Sequence, residues 1–285
     1  MIAQNFDYSA PASLKDALGM LASENAKALA GGMSLIPLMK LRLTAPEQLV
    51  DISRIGELNY IREEGGMLRL GATSTHYQVE SSPLVRSKCP LLAEAASHIG
   101  DIQVRNQGTI GGSVAHADPA ADYPASLLAL EARVRLVSQK GEREMAIADF
   151  FVDTFTTALE PGEIVREVIV PVEDSSTGTS YQKMLQPASG FAIVGIAARV
   201  RKSGGKIAMA RVGVTGLSGK PFRAAAVEKA LEGTAGTTGD IQKAASVVAG
   251  GVDANSDLHA SGGYRKHLAA IYTARALTTA LSRTA

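Results

Sequence analysis

The stretch Arg105-Asn-Gln-Gly-Thr-Ile-Gly-Gly-Ser-Val-Ala-His-Ala-Asp-Pro-Ala-Ala-Asp-Tyr-Pro124 constrains this chain more than any other. Gly108, Gly111 and Gly112 allow backbone dihedrals and close approaches that other residues do not. Thr109 and Ser113 add hydroxyl donors, and successive N–H groups in such a turn form an anion-binding concavity. So much permissive backbone beside so many polar side chains lowers stability unless something binds there. A second stretch, Ala30-Gly-Gly-Met-Ser-Leu-Ile-Pro37, has the same chemistry: a glycine pair, a hydroxyl, then an apolar run. The two loops together predict one phosphate-bearing cofactor clasped from two sides. Neither loop carries Gly-x-Gly-x-x-Gly or Gly-x-x-x-x-Gly-Lys-Ser/Thr, which disfavours a plain Rossmann or P-loop site.

With 285 residues the chain can bury large cores and divide into two or three domains. A net charge of +1 supplies no global field to attract nucleic acid or an anionic membrane. Cys89 is the single cysteine, which excludes an intrachain disulfide and fits a reducing compartment. The start lacks a basic segment followed by an apolar one, and no window offers the roughly 18 apolar residues of a membrane span. The expectation is a cytoplasmic protein.

Ser13 is placed to cap a helix carrying Leu14, Ala17, Leu18 and Leu21 on one face. Lys27 to Ala30 reads as a strand entering the first glycine loop, Leu35 to Leu43 as a helix leaving it, and Leu49 to Ile52 as a returning strand. Hairpins are predicted across Glu64-Gly-Gly66 and Lys140-Gly141, and helices over 75–80, 91–98 and 125–131. Ile164 to Val170 is a strand stopped by Pro171. The polar run 175–180 reads as a linker. Two long strands, 192–201 and 206–217, precede helices over 224–231, 241–249 and 264–281. The class is α+β, divided at 1–55, 56–175 and 176–285.

His116, Asp118 and Asp122 suit a divalent ion by type, but no second histidine lies nearby in sequence, and Asp beside Pro commonly bonds its own turn. Asp122 reads better as an acceptor for a ribose diol. Cys89 before a proline is a small buried hydrophobe rather than a nucleophile. His76, His98, His259 and His267 read as structural or solvated. No Gly-x-Ser-x-Gly elbow supports a hydrolase. Lys183 and Arg105 are the basic residues best placed to neutralise a pyrophosphate.

At these residues the chain resembles the FAD-binding medium subunit of the molybdenum hydroxylases, the family of xanthine dehydrogenase and carbon monoxide dehydrogenase. Ala30 to Pro37 resembles the family's first flavin loop, Arg105 to Gly112 with Asp118 to Asp122 its second, and Asp257-Leu-His-Ala-Ser-Gly-Gly-Tyr-Arg-Lys-His267 the opening of its last helix. The resemblance covers nearly the whole chain. It implies a two-subdomain FAD-binding fold of the vanillyl-alcohol-oxidase (PCMH) type, then a C-terminal domain of antiparallel sheet plus helices. By position, Leu29, Ala30, Gly31, Gly32, Met33, Ser34, Leu35 and Ile36 would wrap the FAD pyrophosphate. Thr109, Ile110, Gly111, Gly112 and Ser113 would hold it from the other side. Asp122 matches the family's acidic flavin contact, Ile99, Val165 and Lys183 match further FAD-contacting positions, and Phe191 falls near an aromatic at the isoalloxazine. Met33 stands where several relatives carry histidine or glutamine.

The pair of glycine loops, with no evident histidyl or cysteinyl attachment site, predicts one non-covalent FAD that carries the chemistry, with no catalytic side chain and no metal ligand expected in this chain. By the resemblance, molybdopterin and [2Fe-2S] clusters would sit in a large and a small partner subunit, in a dimer of heterotrimers, and electrons would leave through this flavin to an external acceptor. Two other readings stay open on the residues alone: a stand-alone FAD oxidoreductase of the same fold superfamily, and a non-enzymatic module holding another nucleotide.

Overall fold

The computed structural model of the chain describes residues 2–285. Its first part is a small parallel sheet: β1 (Asp7–Ser9), β2 (Ala26–Leu29) and β3 (Gln48–Asp51), with β3 central. Helix α1 (Leu14–Leu21) starts where expected, because the Ser13 hydroxyl accepts the Asp16 amide, and it buries Leu14, Ala17, Leu18 and Leu21. Each leucine buried this way contributes about 1.5–3 kcal/mol. Helix α2 (Leu35–Lys40) is shorter than the sequence suggests, closing before Leu43.

The second part holds an antiparallel sheet of β4 (Ile61–Glu64), β5 (Met67–Gly71), β6 (Arg133–Ser138), β7 (Gly141–Ala146) and β10 (Ile164–Pro171), in the order β4-β5-β10-β6-β7. Six helices lie between β5 and β6: α3 (His76–Ser81), α4 (Pro83–Lys88), α5 (Pro90–Ser97), α6 (Ile102–Gln107), α7 (Ile110–His116) and α8 (Asp122–Ala129). Pro83 and Pro90 occupy the first turns of α4 and α5, where proline's missing N–H has no partner to lose. The glycine-rich stretch at 105–124 is likewise mostly helical rather than a loop. Short elements α9 (Ile147–Phe150), β8 (Phe151–Asp153) and β9 (Thr156–Thr157) lead into β10.

The third part is a sheet of β11 (Thr177–Leu185), β12 (Ala192–Ser203), β13 (Lys206–Thr215) and β14 (Phe222–Arg223), followed by α10 (Ala225–Leu231), α11 (Thr238–Ala245) and α12 (Gly262–Ser282). The run 175–180 is not a linker. From Thr177 it pairs with β12, burying Thr179 and Ser180. Strand β12 is buried on both faces, by α12 on one and by α8 of the second part on the other. That second contact needs Gly213 of β13, since a Cβ there would lie 1.9 Å from the Ala125 carbonyl oxygen. Helix α8 is therefore seated on the third part's sheet, and Asp122 at its start faces residues of β11. Among the described residues no helix is long and apolar enough to cross a membrane.

Candidate functional site

A cleft of about 860 Å³ runs between the three parts. Its size sits near the upper end of the ~300–1,000 Å³ typical of small-molecule sites. One wall is the first glycine loop. Gly32 has φ +73°, in the left-handed region that favours glycine. The amides of Gly31, Gly32, Met33, Ser34 and Leu35 donate to no acceptor among the described residues, and the Ser34 hydroxyl caps nothing. Successive unpaired N–H groups of this kind form an anion-binding nest.

The opposite wall is the start of α7. Here the backbone is tied down. Ile110 and Gly111 donate to Ser74 O and Ala72 O at 3.0 and 2.9 Å, and Gly112 donates to the Thr109 hydroxyl at 3.1 Å. What this wall offers the cleft is therefore the exposed face of Gly112 and the hydroxyls of Thr109 and Ser113. The two loops touch: a Cβ on Gly31 would lie 2.0 Å from Gln107 O and 2.8 Å from Gly108 Cα. Gly111 behaves differently from its neighbour, because its missing Cβ makes room for Ala72 rather than for the cleft.

Of the positions assigned to FAD by resemblance, Leu29, Ala30, Gly31, Gly32, Met33, Ser34 and Leu35 line the cleft, as do Ile99, Thr109, Gly111, Gly112, Ser113, Asp122, Val165 and Phe191. Three do not. Ile110 is fully buried in the core beneath α7. Ile36 turns to the other side of α2, into a small apolar pocket with Phe6 and Met39. Lys183 stops behind the wall, its ammonium 2.8 Å from Asp122 Oδ1.

The basic residues offered for a pyrophosphate are thus engaged elsewhere. Lys183 pairs with Asp122, and Arg105 pairs with Glu80 at 2.8 Å while donating to the carbonyls of Ile99 and Gly100. Asp122 itself is 4% exposed. Burial pushes its carboxyl up to about 6, with the Lys183 ammonium and the Tyr181 hydroxyl pulling the other way. His116 Nε2 sits 4.0 Å from Asp118 Oδ2, and its ring packs on Phe155 at 5.1 Å. Burial lowers His116 and raises Asp118. No three His, Cys, Asp or Glu side chains gather to hold a metal ion among the described residues.

Several lining residues carried no readable signal. Lys27 is exposed on the cleft wall and makes no ion pair among the described residues. Phe155 tops the turn between β8 and β9, 55% exposed, and is brought to His116 only by the tertiary fold. His76, read from sequence as structural or solvated, lines the cleft although it is buried. Its Nδ1 has no hydrogen-bond partner among the described residues, and burial, helped by the Arg105 charge, lowers it to about 4.

Residues 4–173 match the family described as the FAD binding domain in molybdopterin dehydrogenase, and residues 179–280 the CO dehydrogenase flavoprotein C-terminal domain. The chain is 39% identical to the carbon monoxide dehydrogenase medium chain of Hydrogenophaga pseudoflava, covering 100% of both chains. It is 38% identical to the glyceraldehyde dehydrogenase medium chain of Sulfolobus acidocaldarius, over 97% of this chain and 98% of that one. The structure superposes on carbon monoxide dehydrogenase from Hydrogenophaga pseudoflava, solved without the Mo-pyranopterin moiety of its molybdenum cofactor. That match has a TM-score of 0.97 at 41% identity over the whole of both chains. Quinoline 2-oxidoreductase from Pseudomonas putida 86 gives 0.94 at 32%, covering 99% of each chain. A cleft walled by an amide nest and facing hydroxyls, in a fold matched end to end, identifies the chain as a member of the family of FAD-binding medium subunits of molybdopterin hydroxylases, the oxidoreductase complexes of the carbon monoxide dehydrogenase type.

Proposed function

We propose that this chain is the electron-exit subunit of its complex, taking electrons from a partner [2Fe-2S] subunit and passing them to an external acceptor. The observation that carries this reading is the amide nest at 31–35 standing against the hydroxyl-bearing start of α7 across one cleft. Such a donor set fits FAD: neutral N–H and O–H groups suit a diphosphate that two loops share, and the left-handed backbone of Gly32 supports the turn that carries the nest. When bound, FAD supplies the redox chemistry, while the protein orients it and excludes competing reactions.

The chain's own residues have distinct tasks in this reading. The amides of Gly31 to Leu35 and the hydroxyls of Ser34, Thr109 and Ser113 hold the pyrophosphate. Ile99 and Val165 furnish apolar wall, and Phe191, 44% exposed, and Phe155 border the cleft where a planar ring can pack. Attachment is non-covalent. Cys89, the one thiol, is fully buried away from the cleft, and burial pushes it up to about 12. One cysteine falls short of the several thiolates that a cysteine-ligated cluster takes. The [2Fe-2S] clusters and the molybdopterin accordingly belong to a small and a large partner, assembled as a dimer of heterotrimers in the cytoplasm.

Purification from a host expressing all three subunits tests this directly. The expected result is one acid-releasable FAD per chain, co-purifying iron–sulfur and molybdenum subunits, and flavin reduction by the organic donor only when both partners are present. An isolated chain that oxidises an organic donor by itself would overturn the proposal in favour of a stand-alone oxidoreductase.

A further inference from the structure

Behind the cleft wall the second and third parts of the chain meet on one buried carboxylate. Asp122 opens α8, and the little surface it keeps belongs to the cleft. Two side chains of β11 hold it. Lys183 Nζ lies 2.8 Å from Oδ1 and 2.9 Å from Oδ2, and the Tyr181 hydroxyl donates to Oδ1 at 2.6 Å. Lys183 spends a further proton on the His98 carbonyl at 2.9 Å. Tyr181 itself is 1% exposed and lines no part of the cleft.

The fold makes a specific place for this tyrosine. In the β11–β12 register Lys183 lies opposite Gly195, and a Cβ at 195 would sit 2.3 Å from the Tyr181 hydroxyl. The ring edge packs on His98 with centroids 5.6 Å apart. Its hydroxyl donates only to Asp122 among the described residues. The charged and titratable groups around that carboxylate are Lys183 and Tyr181 from β11, Asp118 from the turn before α8, Tyr123 beside it on α8, and His98 past the end of α5. A carboxylate accepts up to about four hydrogen bonds. The contacts to Tyr181 and Lys183 leave acceptor capacity for a donor in the cleft.

We propose that Tyr181 is a positioning residue for the cofactor: by donating to Oδ1 it fixes the Asp122 carboxylate, charged and oriented, so that its remaining acceptor capacity meets an O–H or N–H group of the dinucleotide. This rests on the FAD reading for its ligand. Its first measurement does not.

The test is Tyr181→Phe in the full chain, which keeps the ring and removes the hydroxyl. Without flavin, carbon NMR of labelled aspartate follows the Asp122 titration. Loss of a hydrogen bond to a charged group is expected to raise the midpoint by about one to two pH units. An unmoved midpoint overturns the proposal, and does so whether or not the chain binds FAD. With flavin, FAD affinity is compared from about pH 7 to about pH 9. A midpoint moved to about 7.5 leaves Asp122 mostly neutral at pH 7, so the variant binds about four-fold more weakly there and recovers as pH rises. Wild type is flat over that range. A loss equal at every pH signifies altered packing alone and overturns the proposal. Repeating the comparison with ADP separates the two sources of the donor: an equal effect on ADP assigns it to the adenosine ribose, and an effect confined to FAD assigns it to the flavin half, each supporting the role of Tyr181.

Discussion

Replacing Gly31 by alanine forces the two glycine loops apart. The new Cβ would sit 2.0 Å from the Gln107 carbonyl oxygen, 2.7 Å from its carbon and 2.8 Å from Gly108 Cα. All three are backbone atoms, so no side-chain rotation relieves the clash. Ordinary contact begins near 3.4 Å, which requires the loops to separate by about 1.4 Å. Overpacking of this kind lowers stability by about 1–3 kcal/mol, and the larger effect falls on the ligand. A pyrophosphate shared between the nest and the facing hydroxyls loses hydrogen bonds on one side or the other. Each bond to a charged group is worth about 1.5–3 kcal/mol, so losing two weakens FAD binding at least ~100-fold. Titration of flavin-free protein by FAD fluorescence quenching measures this, with melting curves to show that the variant folds. Gly263→Ala is the matched control. Gly263 is exposed in the first turn of α12 with nothing within 4 Å of its Cβ, and alanine there is expected to leave affinity unchanged and stability equal or up to ~1 kcal/mol higher. A folded Gly31→Ala protein with wild-type affinity would refute the shared-diphosphate geometry.

Gly111→Ala and Gly112→Ala separate two roles within one glycine pair. At 111 the Cβ meets Ala72 Cβ at 2.4 Å and its backbone at 2.7 Å, so α7 is driven off the end of β5 and stability falls by about 1–3 kcal/mol. At 112 only the Thr109 hydroxyl stands within 4 Å, at 2.8 Å, and the loss is limited to the helix cap, about 0.5–2 kcal/mol. Thermal melts that rank Gly112→Ala as the more damaging variant would contradict this assignment. Ser34→Ala and Ser113→Ala each remove a hydroxyl with no hydrogen-bond partner among the described residues, so FAD affinity should drop about 2–10-fold while the flavin-free melting temperature holds. An unchanged dissociation constant in both would take the hydroxyls out of the site. His76 gives a pH signature. Its folded pKa, lowered to about 4 from the usual 6.5, means its contribution to stability is complete above about 6.5 and is lost as pH falls through about 4. By pH 5 that amounts to about 2 kcal/mol, which His76→Gln should abolish. Urea melts of both proteins across that window decide it, and an equally steep acid limb in the variant would count against the buried imidazole as its source.

What could be read in advance followed from backbone chemistry. Gly31, Gly32 and Gly112 announce a cradle because a missing Cβ is visible in sequence, and the helix over 14–21 announces itself through a cap and an apolar stripe that depend on neighbours a few residues away. The long strands β12 and β13 were legible for the same reason, as apolar runs either side of Ser203-Gly-Gly205. Pairing across the fold left no such mark. Nothing near Lys183 in sequence shows that its charge is already spent on Asp122, and nothing near Arg105 shows Glu80 waiting for it. Isolated basic residues therefore looked free to meet a diphosphate when neither was. Thr177 to Ser180 looked like a linker because a polar run is ambiguous until a partner strand and α12 cover it. In the proposed reading, anion recognition in this cleft would rest chiefly on amides and hydroxyls, because Lys27 is the one lining Lys or Arg among the described residues. Donors of that kind carry no net charge to be screened. Flavin affinity should accordingly vary little with ionic strength, and a dissociation constant rising steeply between low and ~0.5 M salt would show that basic side chains hold the diphosphate after all.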